Sequence, residues 1–196
     1  MELVAHSEPD VVQRATGLLD AGELAVLPMD GAYALCGDAL DDAAALRLFR
    51  ATGRSADEAL PVLVGGFEDV QQVAFATPLA RRLADAFWPG PLTLLLRPRP
   101  WIPDEVTAGA DLVAVRAPSV DLTRRLARHF GPLAAADLDA ADARRARDLA
   151  GAEARLVVDA GARSGRLDTV VDATGDEAKV LREGAIRAAE VEARGR

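Results

Sequence analysis

The stretch Phe87-Trp88-Pro89-Gly90-Pro91-Leu92-Thr93 places two prolines around one glycine, directly behind an aromatic pair. Proline has no backbone N–H and fixes φ, so the helical pattern over residues 78–87 cannot run through it. Gly90 gives the turn its freedom, and the Trp88 indole supplies the packing that holds it. Beyond the turn, residues 92–96 form an apolar run short enough to be a buried strand. The segment is therefore a helix stop joined to a strand start.

Working outward, the same alternation recurs. Toward the amino terminus, residues 60–64 read as a strand and residues 67–74 as helical. Asp41 and Asp42 open a helix with Leu46 and Phe49 on one side, and Pro28, Asp30 and Gly31 form a loop after a strand at 24–27. Ser7, Pro9 and Asp10 start a first helix whose face is Val11, Ala15, Leu18 and Leu19, and Gly22 ends it. Toward the carboxyl terminus, a Pro-rich loop with Trp101 and Pro103 leads to a strand at 112–116. Ser119 is placed to cap a helix running to about Phe130. A short strand at 133–136, a helix at 140–149, and short strands at 156–158, 169–172 and 180–181 complete the pattern. The expectation is one α/β domain over residues 1–188, a mixed sheet flanked by helices, with residues 189–196 as a solvated tail.

Composition excludes several classes of function. Half of the 196 residues are apolar, enough for a continuous core. No run approaches the roughly 18 apolar residues of a membrane span, and Glu2, Glu8 and Asp10 give the start an acidic character unlike a signal peptide, so a cytoplasmic location without membrane contact is expected. Cys36 is the only cysteine and His6 and His129 the only histidines, which rules out an internal disulfide and a cysteine- or histidine-rich metal site. The net charge of −8 argues against broad binding to nucleic acid, although a local basic patch is compatible with it. Lys179 is the only lysine. There is no P-loop, no dinucleotide-binding glycine pattern and no nucleophile elbow.

Five segments stand out in order: the run from Leu27-Pro28-Met29-Asp30-Gly31 through Ala32-Tyr33-Ala34-Leu35 to Cys36-Gly37-Asp38-Ala39; the Phe87 to Thr93 run; Val115-Arg116-Ala117-Pro118; Asp168-Thr169-Val170-Val171-Asp172; and Leu181-Arg182-Glu183-Gly184-Ala185-Ile186. Together they resemble the YrdC-like family over about residues 10–187. The resemblance implies an open, twisted mixed sheet flanked by helices with a large concave face. It also implies threonylcarbamoyl-AMP synthase activity, a nucleotidyl transfer that takes ATP, L-threonine and bicarbonate to threonylcarbamoyl-AMP and pyrophosphate for tRNA modification. Magnesium commonly accompanies the triphosphate. Partner proteins complete the tRNA modification, and the concave fold has been associated with double-stranded RNA.

Carried over residue by residue, the resemblance assigns Arg54 and Arg116 to catalysis. It assigns Arg54, Thr93, Asp137, Asp139 and Arg182 to the nucleotide, and Asp30, Tyr33, Arg116, Asp168 and Thr169 to the amino-acid substrate. No residue is assigned to a metal. The match is uneven. Met29, Gly31 and Ala34 replace the threonines and glycine of the family's Pro-Thr-acid-Thr-x-Tyr-Gly-Leu, and Thr52-Gly53-Arg54 replaces Lys-x-Arg. Asp137-Leu138-Asp139 stands for Ser-Ala-Asn, and Asp168 for the serine of Ser-Thr-Val. An ammonium is lost and carboxylates face the expected phosphates, which at ~4 Å repel by about 1 kcal/mol in water and more when partly buried.

These exchanges leave two readings open beside the enzyme: a paralogue that binds another nucleotide or carbamoyl compound, and a non-catalytic module for RNA or a protein. Simpler roles also stand for single residues. Trp88 to Pro91 would serve as a structural turn, and Cys36 and Tyr33 as core or cleft-wall residues. Asp137, Asp139 and Asp142 would form a solvated acidic loop, since they lack the glycine and distal glutamate of a calcium loop.

Overall fold

The computed structural model of the chain describes residues 1–55 and 57–195. Its strands are β1 (Glu2–Ala5), β2 (Leu24–Pro28), β3 (Tyr33–Asp38), β4 (Val62–Leu63), β5 (Leu92–Leu96), β6 (Val113–Arg116), β7 (Leu133–Asp137), β8 (Ala154–Asp159), β9 (Thr169–Asp172) and β10 (Lys179–Arg182). The α-helices are α1 (Val11–Asp20), α2 (Asp42–Thr52), α3 (Pro78–Phe87), α4 (Asp104–Thr107), α5 (Asp121–Phe130), α6 (Ala143–Ala150) and α7 (Ala188–Gly195), with 3-10 turns at Phe67–Gln72 and Gly151–Glu153. All ten strands join one mixed sheet in the order β1-β8-β2-β3-β7-β4-β6-β5-β9-β10. Among the described residues no helix is long and apolar enough to cross a membrane.

Strand alternation divides the core between the two faces of the sheet. Leu24 and Val26, Ala134 and Ala136, and Leu92, Leu94, Val113 and Val115 pack on one face, under α2, α3, α4 and α6. Ala25 and Leu27, Leu133 and Ala135, and Leu156 and Val158 pack on the other, under α1 and α5. The α1–α5 layer buries residues of β1, β8, β2, β3, β7 and β4, and none of β6, β5, β9 or β10. On that second face the right-hand half of the sheet is left open, with Thr93 and Arg116 pointing toward it by parity. This is the concave side.

The Trp88 to Pro91 turn ties the open half together. The indole Nε1 donates to Leu92 O at 2.7 Å, and Gly90 N donates to Ala117 O at 2.9 Å, just past the end of β6. Thr169 N donates to Pro91 O at 3.0 Å, at the start of β9. The Trp88–Pro89 peptide is cis. One turn thus fixes the ends of three neighbouring strands.

Several sequence expectations need correction. Leu46 does not share a buried face with Phe49: it is 46% exposed, and α2 buries Ala44, Ala45, Leu48 and Phe49 instead. Ser119 does not cap α5; Val120 holds that position without a side-chain bond, because the Ser119 hydroxyl and N–H both turn to Asp30 Oδ1. Asp142 caps α6 by accepting from Arg145 N, so it belongs to a helix start and not to an open acidic loop. Residues 189–195 are not a solvated tail: α7 packs on α3, Val191 is fully buried, and Arg82 Nη2 donates to Gly195 O at 2.7 Å. Arg196 lies outside the described residues. The tail expectation failed because one buried valine per two turns, amid charged neighbours, is too thin an apolar stripe to read.

Docking of α7 gives a direct test. Val191→Ala is expected to lower the unfolding free energy by about 1–3 kcal/mol, whereas Glu190→Ala on the exposed side of α7 shifts it by less than about 0.5 kcal/mol. Urea denaturation compares the two; equal, negligible shifts would mean that α7 does not dock.

Candidate functional site

Arg116 ends β6, where strand alternation directs its side chain into the open half of the sheet, yet it is only 7% exposed. A guanidinium so enclosed needs a counter-charge. Asp168, immediately before β9, supplies it: Arg116 Nη1 donates to Asp168 Oδ2, and Thr93 Oγ1 on β5 donates to the same oxygen at 3.2 Å. Burial alone would lower the Arg116 pKa, but Asp168 first, with Asp137 and Asp30 adding to it, holds it above the ordinary arginine value. Arg116 Nε has no hydrogen-bond partner among the described residues.

Around this pair lies a cleft of about 350 Å³ lined by Met29, Gly31, Ala32, Arg116, Asp137, Asp139, Gly165, Arg166, Leu167, Asp168 and Arg182. Asp137, at the end of β7, meets solvent through the cleft mouth but is otherwise enclosed by protein. That enclosure raises its pKa, opposed first by Arg116 and further by Arg54 and Arg182, while Asp168 adds to the rise. Asp139 sits at φ +48°, a left-handed conformation that aspartate tolerates better than most residues. Arg182 on β10 donates from Nε to Asp168 O at 3.2 Å.

One wall of the cleft is the loop between β8 and β9, residues 160–168, of which the sequence pattern singled out only Asp168. Arg163 Nε donates to Met29 O at 2.9 Å and Arg163 N to Ala141 O at 2.6 Å. Gly165 lies against Gly31, so closely that a Cβ at Gly165 would stand 3.0 Å from Gly31 Cα. Leu167, 70% exposed, projects from the rim. A signal existed in the two glycines at 161 and 165 flanking arginines between two strands, a composition that permits close backbone approach.

The structure brings together Arg116, Asp137, Asp139, Asp168 and Arg182, with Thr93 bonded beneath Asp168. Arg54 acts on Asp137 by its charge but does not line the cleft; its Nη2 pairs with Glu58 at 3.1 Å and its buried Nε has no partner among the described residues. Tyr33 and Thr169 are not free to bind substrate through their hydroxyls. Tyr33 Oη donates to Gly161 O at 2.7 Å and accepts from Ala160 N at 3.0 Å, pinning the 160–168 loop from a fully buried position. Thr169 Oγ1 donates to Ile186 O at 2.7 Å and accepts from Gly184 N and Ile186 N, both at 3.0 Å. Both hydroxyls are consumed by backbone groups of neighbouring segments. Asp30 likewise gives Oδ1 to Ser119, joining the β2–β3 loop to the end of β6, while its Oδ2 is buried without a partner among the described residues.

Cys36 is buried on the α1–α5 face, and its burial pushes the thiol far above its ordinary range, so it is a core residue. Among the described residues no group of three or more His, Cys, Asp or Glu side chains could hold a metal ion.

Comparison with known proteins gives this arrangement a family. A Mycobacterium tuberculosis (strain H37Rv) relative is 34% identical over 180 residues, covering 88% of this chain and 83% of that protein. The threonylcarbamoyl-AMP synthase of Bacillus subtilis is 32% identical over 200 residues, covering 97% of this chain and 58% of that protein. The crystal structure of Pyrococcus abyssi Sua5 complexed with L-threonine superposes with a TM-score of 0.87 at 30% identity, over 97% of this chain and 59% of that one. This chain therefore spans less than two thirds of the last two proteins. The family model described as telomere recombination matches residues 17–184, which include Arg116, Asp137, Asp168 and Arg182, and the chain belongs to the Sua5/YciO/YrdC family.

Proposed function

We propose that this chain catalyses an ATP-dependent adenylation of the threonylcarbamoyl-AMP synthase type. The observation that carries the reading is the cleft that brings Arg116, Arg182, Asp137, Asp139 and Asp168 together in a chain of the Sua5/YciO/YrdC family. A Sua5 relative of the same fold is known in complex with L-threonine, which supports a small amine as one substrate. In the reaction, the amine adds to bicarbonate with loss of water to give a carbamate. A carbamate oxygen then attacks the α-phosphorus of ATP, and pyrophosphate leaves. The chain's contribution is to place cations where negative charge builds and to exclude water from the carbamate.

The cation supply is specific. Arg182 and Arg166, both exposed in the cleft lining, are the groups available to the leaving pyrophosphate, while Arg54 pairs with Glu58 outside that lining. Arginine offers a planar fork suited to phosphate oxygens. Magnesium would arrive on the triphosphate, with Asp137 and Asp139 as the nearest hard oxygen donors, which fits a metal that prefers one or two carboxylates plus phosphate. The same aspartates repel a bare triphosphate, so a metal-bound nucleotide is the form that this floor accepts. RNA binding through the concave side has less support, since Asp137, Asp139 and Asp168 offset Arg116, Arg166 and Arg182 along the cleft lining.

At high enzyme concentration, bicarbonate-dependent release of pyrophosphate from ATP in the presence of magnesium and L-threonine is the expected result, and none above a no-amine control would overturn the reading. Asp137 also predicts a pH effect on stability. Its folded pKa is raised, so the native state holds the proton longer than the unfolded chain and loses stability as pH climbs through the folded value. Asp137→Asn should therefore melt above the parent protein at pH 7, with the gap closing toward about pH 4; a gap independent of pH would contradict the raised pKa.

A further inference from the structure

The α1–α5 layer carries a second concentration of positive charge. On α5, Arg125, Arg128 and His129 stand at i, i+3 and i+4, a spacing that gathers three side chains on one face of a helix within about one turn. With Val12 and Gln13 of α1, and Pro9 just before it, they line a groove of about 370 Å³ between the two helices. The groove shares no lining residue with the cleft. Among the described residues no carboxylate belongs to its lining, in a chain whose net charge is −8. Its polar side chains, two guanidinium groups, an imidazole and an amide, all offer N–H donors.

The nearby acids are engaged elsewhere. Arg14 gathers those around the start of α1, pairing with Glu2, with Glu8 at 2.7 Å and with Asp10 at 3.9 Å. Asp121, the one acid of α5, meets Arg124 at 2.9 Å and Arg125 only at 3.7 Å, so a single carboxylate serves two arginines. Arg128 forms no ion pair among the described residues; its Nη2 donates to Gly65 O at 2.6 Å, which fixes the guanidinium beside the groove. Gly65 is needed for that approach, since a Cβ there would stand 2.7 Å from Arg128 Cβ. Cations in a last helical turn also offset the helix dipole, which accounts for Arg128 and His129 but not for Arg125 at mid-helix, whose side chain is 57% exposed. The positive charge does not continue as a track: the adjoining grooves on either side include Asp121, and Glu68 with Asp85.

We propose that the groove between α1 and α5 is a binding site for a compact multivalent anion, an oligophosphate, separate from the cleft. The guanidinium forks of Arg125 and Arg128 suit phosphate oxygens, and His129 and Gln13 add donors beside them. Pro9 and Val12 form a wall without competing charge. The acids in the adjoining grooves favour a short anion held at one place over an extended polyanion laid along α5. The site stands whether or not the cleft performs the adenylation.

Isothermal titration of the full chain with inorganic tripolyphosphate tests the site, without magnesium and at low salt, where exposed charges are least screened. Saturable binding is expected. Arg125→Gln combined with Arg128→Gln should weaken it at least ~10-fold, while Arg166→Gln combined with Arg182→Gln in the cleft should change it by less than about 3-fold. Arg125→Gln alone leaves the bond from Arg128 to Gly65 in place, and serves with an expected loss of ~3-fold or more if the double variant does not fold. No binding by the natural chain, an affinity unchanged in the folded groove variants, or a loss confined to the cleft variant would each overturn the proposal. So would a short single-stranded RNA that displaces tripolyphosphate from the groove at a lower phosphate concentration, because the site would then belong to an extended polyanion.

Discussion

A buried guanidinium must be neutralised, and the open half of this sheet is arranged around that requirement. Arg116 reaches the concave face because β6 alternates, and it stays charged there because Asp168 and Thr93 close around it. Removing one partner of such a pair typically costs about 3–5 kcal/mol, because the other is left enclosed and unpaired. The pair therefore fixes the relative positions of β6, β5 and β9 as firmly as many apolar contacts would. It also sets the field in which Asp137 titrates and any ligand must sit.

The backbone makes the pairing possible. Gly90 N bonds past the end of β6 and Pro91 O receives the N–H that begins β9, so the prolines that stop α3 also bring Arg116 and Asp168 to the same level. Thr169 holds the segment after β10 with three hydrogen bonds, which leaves Arg182 beside Asp168. Gly184 belongs to this clamp: a Cβ there would stand 2.2 Å from Leu167 O, so only glycine lets the two chains approach. Hydroxyls assigned to substrate from the resemblance, those of Tyr33 and Thr169, belong to this supporting framework. The cleft is shaped by them and contacted by others.

Much of this was legible in the sequence. The Phe87 to Thr93 run identified the family, and the alternation of apolar runs located eight of the ten strands at least approximately, missing Glu2–Ala5, which is mostly exposed, and Tyr33–Asp38, which follows the Pro28 to Gly31 loop directly. Arg116, Asp137, Asp139, Asp168 and Arg182 were named before their convergence was visible. Side-chain direction could not be read in the same way. Whether a tyrosine hydroxyl meets a ligand or a carbonyl depends on a loop 127 residues away in the chain, and no local pattern encodes that. The 160–168 loop escaped for a related reason: its residues have no periodicity, and its order comes from bonds to Met29, Ala141 and Tyr33. Ser119 was misread because a serine before a helix usually caps it, and the carboxylate that outcompeted the helix N–H groups lies on a distant loop.

The sequence comparison presents the exchange of serine for Asp168 as the loss of a family group. In the folded chain it is the gain of one. A serine there would leave Arg116 with no described carboxylate bonded to it; the aspartate neutralises it through Nη1, while Nε stays without a partner among the described residues. A site drifting out of use would be expected to lose its buried charges, because an unpaired one destabilises the fold and a neutral replacement does not. This site has kept its buried arginine and carries an acid to match it.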